Sequence, residues 1–442
     1  MYAFVPPTMK DQVTRPTPRS RPVPATAITG VGQKSLRNHN LCLVFSQIAA
    51  ADDADPLSRA DLADLTGLTK ATISSLVSTL LTLGLVTELA PANPHRAGRP
   101  AIPLAVAPGT VAALGLEINV DFLGLRAVDV AGNIVDESFE RTNLRQSDPA
   151  AAFTALVGLA QQMIRRLADR RIRLIGACLA LPGIADHPHG PLRLAPNLGW
   201  QDVDIHQLTS LAVEALADTG AKSGGTTDAL RRMLVDHLSV DNEANLAARA
   251  EMGKRRDTSF VYVSGEIGIG AAIVVGGQVF TGLHGWAGEI GHVVVDPNGP
   301  TCACGAHGCL EMYAGKRSLM LNAGLDPDDN INVLREAYRC DNRQACDAIN
   351  QAAEALGIAL ANCMNIVDVS QIVLGGSFAP LAEIMSQRLS AQITTRVLSS
   401  RWVGQDFSIR ASATGDYAAA TGSALAVIDQ AVTDPASALW GA

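Results

Sequence analysis

Between Gly285 and Glu311 the chain reads Gly-Trp-Ala-Gly-Glu289-Ile-Gly-His292 and then, after a spacer, Cys302-Ala-Cys304-Gly-Ala-His-Gly-Cys309-Leu-Glu311. Any fold that holds this stretch must satisfy four soft donors at once. Three thiols (Cys302, Cys304, Cys309) and the His292 imidazole at this spacing are the set that tetrahedral zinc takes, and the interspersed glycines permit the tight backbone required. Glu289 and Glu311 flank the donors and offer acceptors to a small polar ligand held beside the metal. A plain structural zinc knuckle, or free cysteines that happen to cluster, is the other reading of the same residues.

A chain of 442 residues is too long for one ordinary domain and points to about three units. With 48% hydrophobic and 18% charged residues it is core-forming rather than disordered. Aromatics make up only 4%, so aliphatic packing has to supply most of the core. No uninterrupted apolar run of about eighteen residues occurs, so no membrane span is expected. The N-terminus lacks the pattern of a secretory signal. Outside the knuckle, Cys42, Cys178, Cys340, Cys346 and Cys363 are scattered, which favours a reducing, cytoplasmic setting over a disulfide framework. The net charge of −8 is unevenly spread: residues 1–103 carry +3 and the remainder −11. An N-terminal module that meets phosphates, joined to an acidic body that does not, accounts for that asymmetry.

Residues 1–34 are rich in proline, carry Arg15, Arg19 and Arg21, and read as a disordered tail. From residue 35 to about 107 the pattern is that of a winged helix-turn-helix. A first helix spans Leu36 to Ala50; Ser58 caps a second, closed by Gly67; Thr69 caps a third, ended by Gly84. Ala63 is small where two helices touch, and Leu62, Leu68, Ile73 and Leu76 fill the shared core. Thr69, Lys70, Thr72, Ser74, Ser75 and Ser78 then line the exposed side of a recognition helix suited to phosphate contacts and modest base reading in a DNA major groove. Strand signals at Leu85–Glu88 and Ile102–Leu104 bracket Arg96-Ala-Gly98-Arg99, where a wing would carry two arginines to the minor groove.

From Ala112 the pattern becomes short apolar strands: a meander (114–118, 123–130, 134–139), a helix at 150–169, and a buried strand at 172–181. A second round starts near Leu238, with Ser239 to Asn245 opening a helix to Met252, then strands at 260–263 and 269–275. Two similar rounds predict two α/β lobes with a cleft between them. Residues 218–232 read as a surface loop insertion, and the apolar run 352–367 as a helix of the core or of a dimer contact.

The knuckle, together with Asn197-Leu-Gly-Trp200 and Val373-Leu-Gly375-Gly376, resembles the ROK family (repressors, open reading frames, sugar kinases), and specifically its branch with an N-terminal winged helix. The resemblance covers about residues 36–432. It implies an α/β class chain: a winged helix-turn-helix followed, over residues 108–442, by an actin-like, hexokinase-like domain of two lobes with a structural zinc site. It further implies zinc on His292, Cys302, Cys304 and Cys309, and sugar hydroxyls held by Asn242, Glu243, Glu289, His292 and Glu311. His292 would hold the metal through one nitrogen and face the ligand through the other.

Kinases of that family carry Asn-Asp where this chain has Asn242-Glu243, and Asp-x-Gly-Gly-Thr where it has Glu117-Ile-Asn119-Val120-Asp121. In the second phosphate loop Glu266 and Ile267 replace glycine and threonine. The base is thus displaced by one methylene and the phosphate cradle is lost in both loops, and no residue is assigned a catalytic role. The expected protein is a sugar-responsive transcriptional repressor. Its partners are a pseudo-palindromic DNA operator and a small sugar or sugar-phosphate effector, and it acts as a homodimer or dimer of dimers. An ATP-dependent hexose or amino-sugar kinase that also binds DNA is the second reading.

Overall fold

A computed structural model describes residues 33–52, 54–90, 102–186, 190–218, 224–253, 258–266, 268–404 and 406–433. Arg96 and Arg99, expected at the tip of a wing, nearly all of the N-terminal tail, and Ile267 lie outside them.

The N-terminal unit forms from local signals. An anchor helix, Gln33–Ala50, buries Leu41, Val44, Phe45 and Ile48. Ser58 and Asp61 form a reciprocal capping box for Arg59–Thr66, satisfying donors that a helix start leaves open. Gly67 closes that helix at φ 70°, where a side chain would be strained. The Thr69 hydroxyl accepts from the Thr72 amide at 3.2 Å to start the recognition helix, Lys70–Thr82. Strands Val86–Glu88 and Leu104–Val106 then pair antiparallel as a two-stranded wing base.

The body contains two five-stranded sheets of one topology. In the first, Ile134–Arg141, Phe122–Asp129 and Val111–Ile118 form an antiparallel meander, continued in parallel by Arg173–Leu181 and Leu238–Asn242. In the second, Gln278–Val279, Ile269–Val275 and Phe260–Gly265 form the meander, continued in parallel by Gln371–Gly376 and Ser408–Ala411. The lobe boundary therefore differs from the expectation. Residues 238–242 are not the opening of a helix but the edge strand of the first sheet, and the second round begins only at the following helix, Glu243–Met252. Asn242 ends the strand and caps that helix through its own side chain.

A second correction concerns 218–232. Within it Gly224–Arg231 is helical and runs into a π-turn at Arg232–Asp236, burying Leu230, Met233 and Leu234 against the first lobe. The apolar residues recur at helical spacing, so this part is core rather than a surface loop. The run at 352–367 belongs to the long helix Arg343–Val367, whose alanine-rich face is buried in the second lobe as expected.

Two helices join the lobes. The terminal helix Ala418–Thr433 lies on the first sheet, while the cleft helix Glu243–Met252 lies on the second, and each packs on the other. Glycines make the approach possible. A Cβ on Gly115 would sit 1.9 Å from the Ala420 carbonyl oxygen, and one on Gly422 would sit 1.7 Å from that of Leu246. The N-terminal unit shares this core. Its anchor helix packs on both the recognition and terminal helices, the Thr110 hydroxyl donates to the Gly84 carbonyl, and Arg173 donates to the Leu83 carbonyl at 3.1 Å.

Candidate functional site

The knuckle is seated by its glycines. Gly288, at φ 106°, has its Cβ direction 2.1 Å from the Ala271 carbonyl oxygen, and Gly291 faces that of Ile269 at 2.5 Å. Side chains at either place would push Glu289 and His292 off strand Ile269–Val275. Downstream, Val294 bridges Cys309 and Thr301 bridges His307, folding the cysteine loop back on the histidine.

The donor atoms of His292, Cys302, Cys304 and Cys309 all fall within 4.8 Å of one another. Cys304 and Cys309 sulfurs are 3.6 Å apart, and the Cys302 sulfur is 3.9 Å from His292 Nδ1. Tetrahedral ligation with metal–sulfur bonds of about 2.3 Å requires donor–donor edges of about 3.8 Å. The four residues can hold a metal ion, with Nδ1 as the histidine donor and Nε2 left for another partner.

Along the cleft beside the knuckle the structure brings Glu243, Glu289, His292 and Glu311 into one electrostatic neighbourhood. Glu243 opens the cleft helix, and its Oε2 is buried without a hydrogen-bond partner among the described residues. Its carboxyl is pushed well above the usual range, first by loss of solvent and then by the charges of Glu266, Glu117 and Glu289. Glu289 is raised by desolvation and by Glu311, with His292 opposing. Asn242 is partly committed to the fold: its amide donates to the Gly183 carbonyl at 2.9 Å and its oxygen caps the helix. The Glu311 carboxylate lies against Gly268, as does the Asn197 amide, since a Cβ there would meet Glu311 Oε2 at 2.4 Å and Asn197 Nδ2 at 3.4 Å. Asn197 was visible in the sequence only as part of a motif.

The fold gathers Glu117, Asp121 and Glu266 into an acidic wall. Burial pushes Glu117 up to about 8, with Glu266 adding to it, although the Ala420 amide donates to its Oε2. Glu266 is raised to about 7 by burial, with Lys316 opposing and Asp121 and Asp416 adding. Its carboxylate fills the turn at Gly376, 2.5 Å from where a Cβ would stand. Between strands, Asn119 and Asp121 form a tight turn in which the Asn119 amide donates to the Phe122 carbonyl.

On the N-terminal unit Thr69, Lys70, Ser74, Ser75 and Ser78 are exposed on one side of the recognition helix, and Thr72 is half-buried. The Ser78 hydroxyl donates to the Ser74 carbonyl at 2.8 Å, leaving its lone pairs outward. No helix among the described residues is long and apolar enough to cross a membrane.

Comparison with known proteins agrees with this arrangement. The ROK family model matches residues 217–430, and the IclR helix-turn-helix domain matches residues 48–90. The chain is 26% identical over 382 residues to the xylose repressor of Bacillus subtilis, covering 85% of this chain and 91% of that protein. It is 24% identical over 398 residues to the DNA-binding transcriptional dual regulator NagC of Escherichia coli, covering 84% and 90%. A glucokinase of Halalkalibacterium halodurans is 26% identical over 319 residues, covering 67% and 89%. Among solved structures, an ROK family transcriptional regulator, a homologue of the Escherichia coli MLC protein, superposes with a TM-score of 0.72 at 22% identity, covering 92% of this chain and all of that one.

Proposed function

We propose, for a chain that carries an ROK family domain behind an IclR-type helix-turn-helix domain, that it is a sugar-responsive DNA-binding repressor whose cleft senses the effector without phosphorylating it. The named repressors among its relatives support that reading. So does one observation above the rest: a packed route runs from Glu243 in the cleft to the DNA-reading unit. Glu243 opens the cleft helix, Leu246 in its first turn bears on Gly422 of the terminal helix, and that helix packs on the anchor helix behind the recognition helix. A ligand that favours one placement of the cleft helix shifts the terminal helix with it, and thereby the spacing of two recognition helices in a dimer. The effect is limited to the ligand's differential affinity for the two arrangements, typically ~1–3 kcal/mol.

In this reading the sugar is held by Asn242, Glu243, Glu289, His292 and Glu311. Zinc suits the three-thiolate, one-imidazole donor set. All four positions would be filled by protein, so the ion is structural and holds the His292 ring for the ligand. Thr69, Lys70, Thr72, Ser74, Ser75 and Ser78 meet DNA, aided by Arg96 and Arg99. Loss of kinase action is supported by Asn119 and Val120, which replace the two glycines of the hairpin, and by Asp121 and Glu266, which place carboxylates where a triphosphate would need amide donors and cations. The glucokinase relative keeps the second reading in play, and a coupled ADP-release assay over hexoses and amino sugars separates the two. The repressor reading is tested by gel shift on an operator selected from random DNA. Addition of xylose, glucose or N-acetylglucosamine is expected to weaken binding by ~5-fold or more; a panel in which no sugar changes operator affinity sinks it.

A further inference from the structure

A cavity of about 500 Å³ opens beside the sugar cleft, between the strand Leu192–Ala195 of the first lobe and the loop following Gln278–Val279 of the second. It lies in the size range of small-molecule sites. Trp286 is 43% exposed on its wall and tilts against the His284 ring at 4.9 Å, while Leu283 is 91% exposed at the rim. Gly282 and Gly285 hold the loop at φ 75° and 87°, and the Ala287 amide donates to the Thr281 carbonyl to close it. Opposite, Arg193 grips Asp186 with two donors, Nε at 2.8 Å and Nη2 at 2.6 Å, and reaches Asp202 at 3.6 Å.

Three chain segments lead from this cavity to the cleft. Arg193 is followed by Asn197, beside Glu311; Trp286 by Glu289; and Asp186 is preceded by Gly183, whose carbonyl receives the Asn242 amide. These stretches are three or four residues long and span at most about 11–14 Å even when extended, so the cavity adjoins the cleft. An aromatic face with a fixed donor–acceptor pair matches a pyranose, which offers one apolar C–H face and a rim of hydroxyls. The Arg193 charge is already matched by Asp186, which disfavours a phosphate there.

We propose that this cavity is a second glycosyl subsite, so that the effector is a disaccharide or longer oligosaccharide with one ring in the cleft and the next between Trp286 and Arg193. The inference rests on the cleft being a sugar site. It is tested by titration calorimetry of the full chain with xylose, glucose and N-acetylglucosamine against xylobiose, cellobiose, maltose and chitobiose. For at least one pair the disaccharide is expected to bind ~10-fold or more tightly than its monosaccharide. Trp286→Ala and Arg193→Gln each bring that ratio below about 3-fold, while Trp286→Phe keeps most of it. Thermal midpoints establish that each variant is folded. Tight monosaccharide binding with no gain from the second ring, or a gain that survives both substitutions, overturns the subsite and leaves the cleft reading intact. Binding of neither class overturns both.

Discussion

Replacing Gly422 by alanine tests the link between cleft and DNA-reading unit without touching ligand, metal or DNA. The new methyl carbon would stand 1.7 Å from the Leu246 carbonyl oxygen and 2.5 Å from its carbonyl carbon. Backbone atoms cannot rotate aside as a side chain can. Relief to an ordinary contact of about 3.5 Å requires the cleft and terminal helices to part by roughly 1.5–2 Å. Overpacking of this kind costs typically ~1–3 kcal/mol, read as a thermal midpoint lower by roughly 2–4 °C per kcal/mol. The separation also takes Leu246 out of register with the terminal helix, which packs on the anchor helix. Sugar should still bind, measured by calorimetry, but the ratio of operator affinities without and with sugar is expected to fall from ~5-fold or more towards unity. Gly158, in the helix Pro149–Asp169, has nothing within 4 Å of its Cβ direction. Gly158→Ala is therefore expected to stabilise by about 0.5–1 kcal/mol and to leave the ratio unchanged. A folded Gly422→Ala protein with the wild-type ratio would refute the helix route, whatever its melting temperature.

Three further outcomes follow from the site. Glu117 and Glu266 have folded-state values raised from 4.5 to about 8 and about 7, so the native state holds protons that the unfolded chain has released. Their stabilisation is complete below about pH 4.5 and lost as pH rises through 7–8, on the order of 3 kcal/mol for Glu117 between pH 5.5 and 8; thermal midpoints should fall over that window, and Glu117→Gln should flatten the curve. Stripping zinc with a chelator, or Cys309→Ala, should lower the midpoint, because an ion at ~1,000 times its Kd adds ~4 kcal/mol to the folded state; an unchanged midpoint on a protein that elemental analysis finds metal-loaded contradicts a structural role. Lys70→Ala should weaken operator binding and reduce the slope of log affinity against log salt by about 1, as expected for one lost phosphate contact; a slope identical to wild type places Lys70 away from the phosphates.

The parts of this molecule legible in the sequence are those whose cause is local. Ser58, Thr69 and Gly67 announce helix ends because capping spends only neighbouring residues, and the structure has them at the expected places. The candidate metal-binding group was legible because three cysteines crowd into one short loop with a histidine ten residues before it. What escaped depends on distant partners. The strand Leu238–Asn242 has too few residues for an alternating pattern to declare itself, and it exists because Arg173–Leu181, far back in the chain, offers it a parallel edge. Glu266 could be seen as a departure from a glycine, but not that its carboxylate rests on Gly376. The cavity at Trp286 draws its walls from two lobes, so no window of sequence contains it.

The same long-range placement gives the proposed switch a physical account. Glu243 has one carboxyl oxygen buried with no partner among the described residues, amid three other carboxyls. A buried polar atom without a hydrogen-bond partner costs about 1–3 kcal/mol. In the proposed reading a sugar hydroxyl supplies that partner only if the cleft helix brings Glu243 to it, so relief of the penalty is gained in one helix position and not in another. That difference is of the size allosteric couplings require. Aspartate at this position would leave the oxygen one methylene further back. On this argument Glu243→Asp should retain the fold and the metal, bind sugar more weakly, and lose more of the operator response than of the binding. Equal losses in both would mean that Glu243 merely holds the ligand and that the switch energy arises elsewhere.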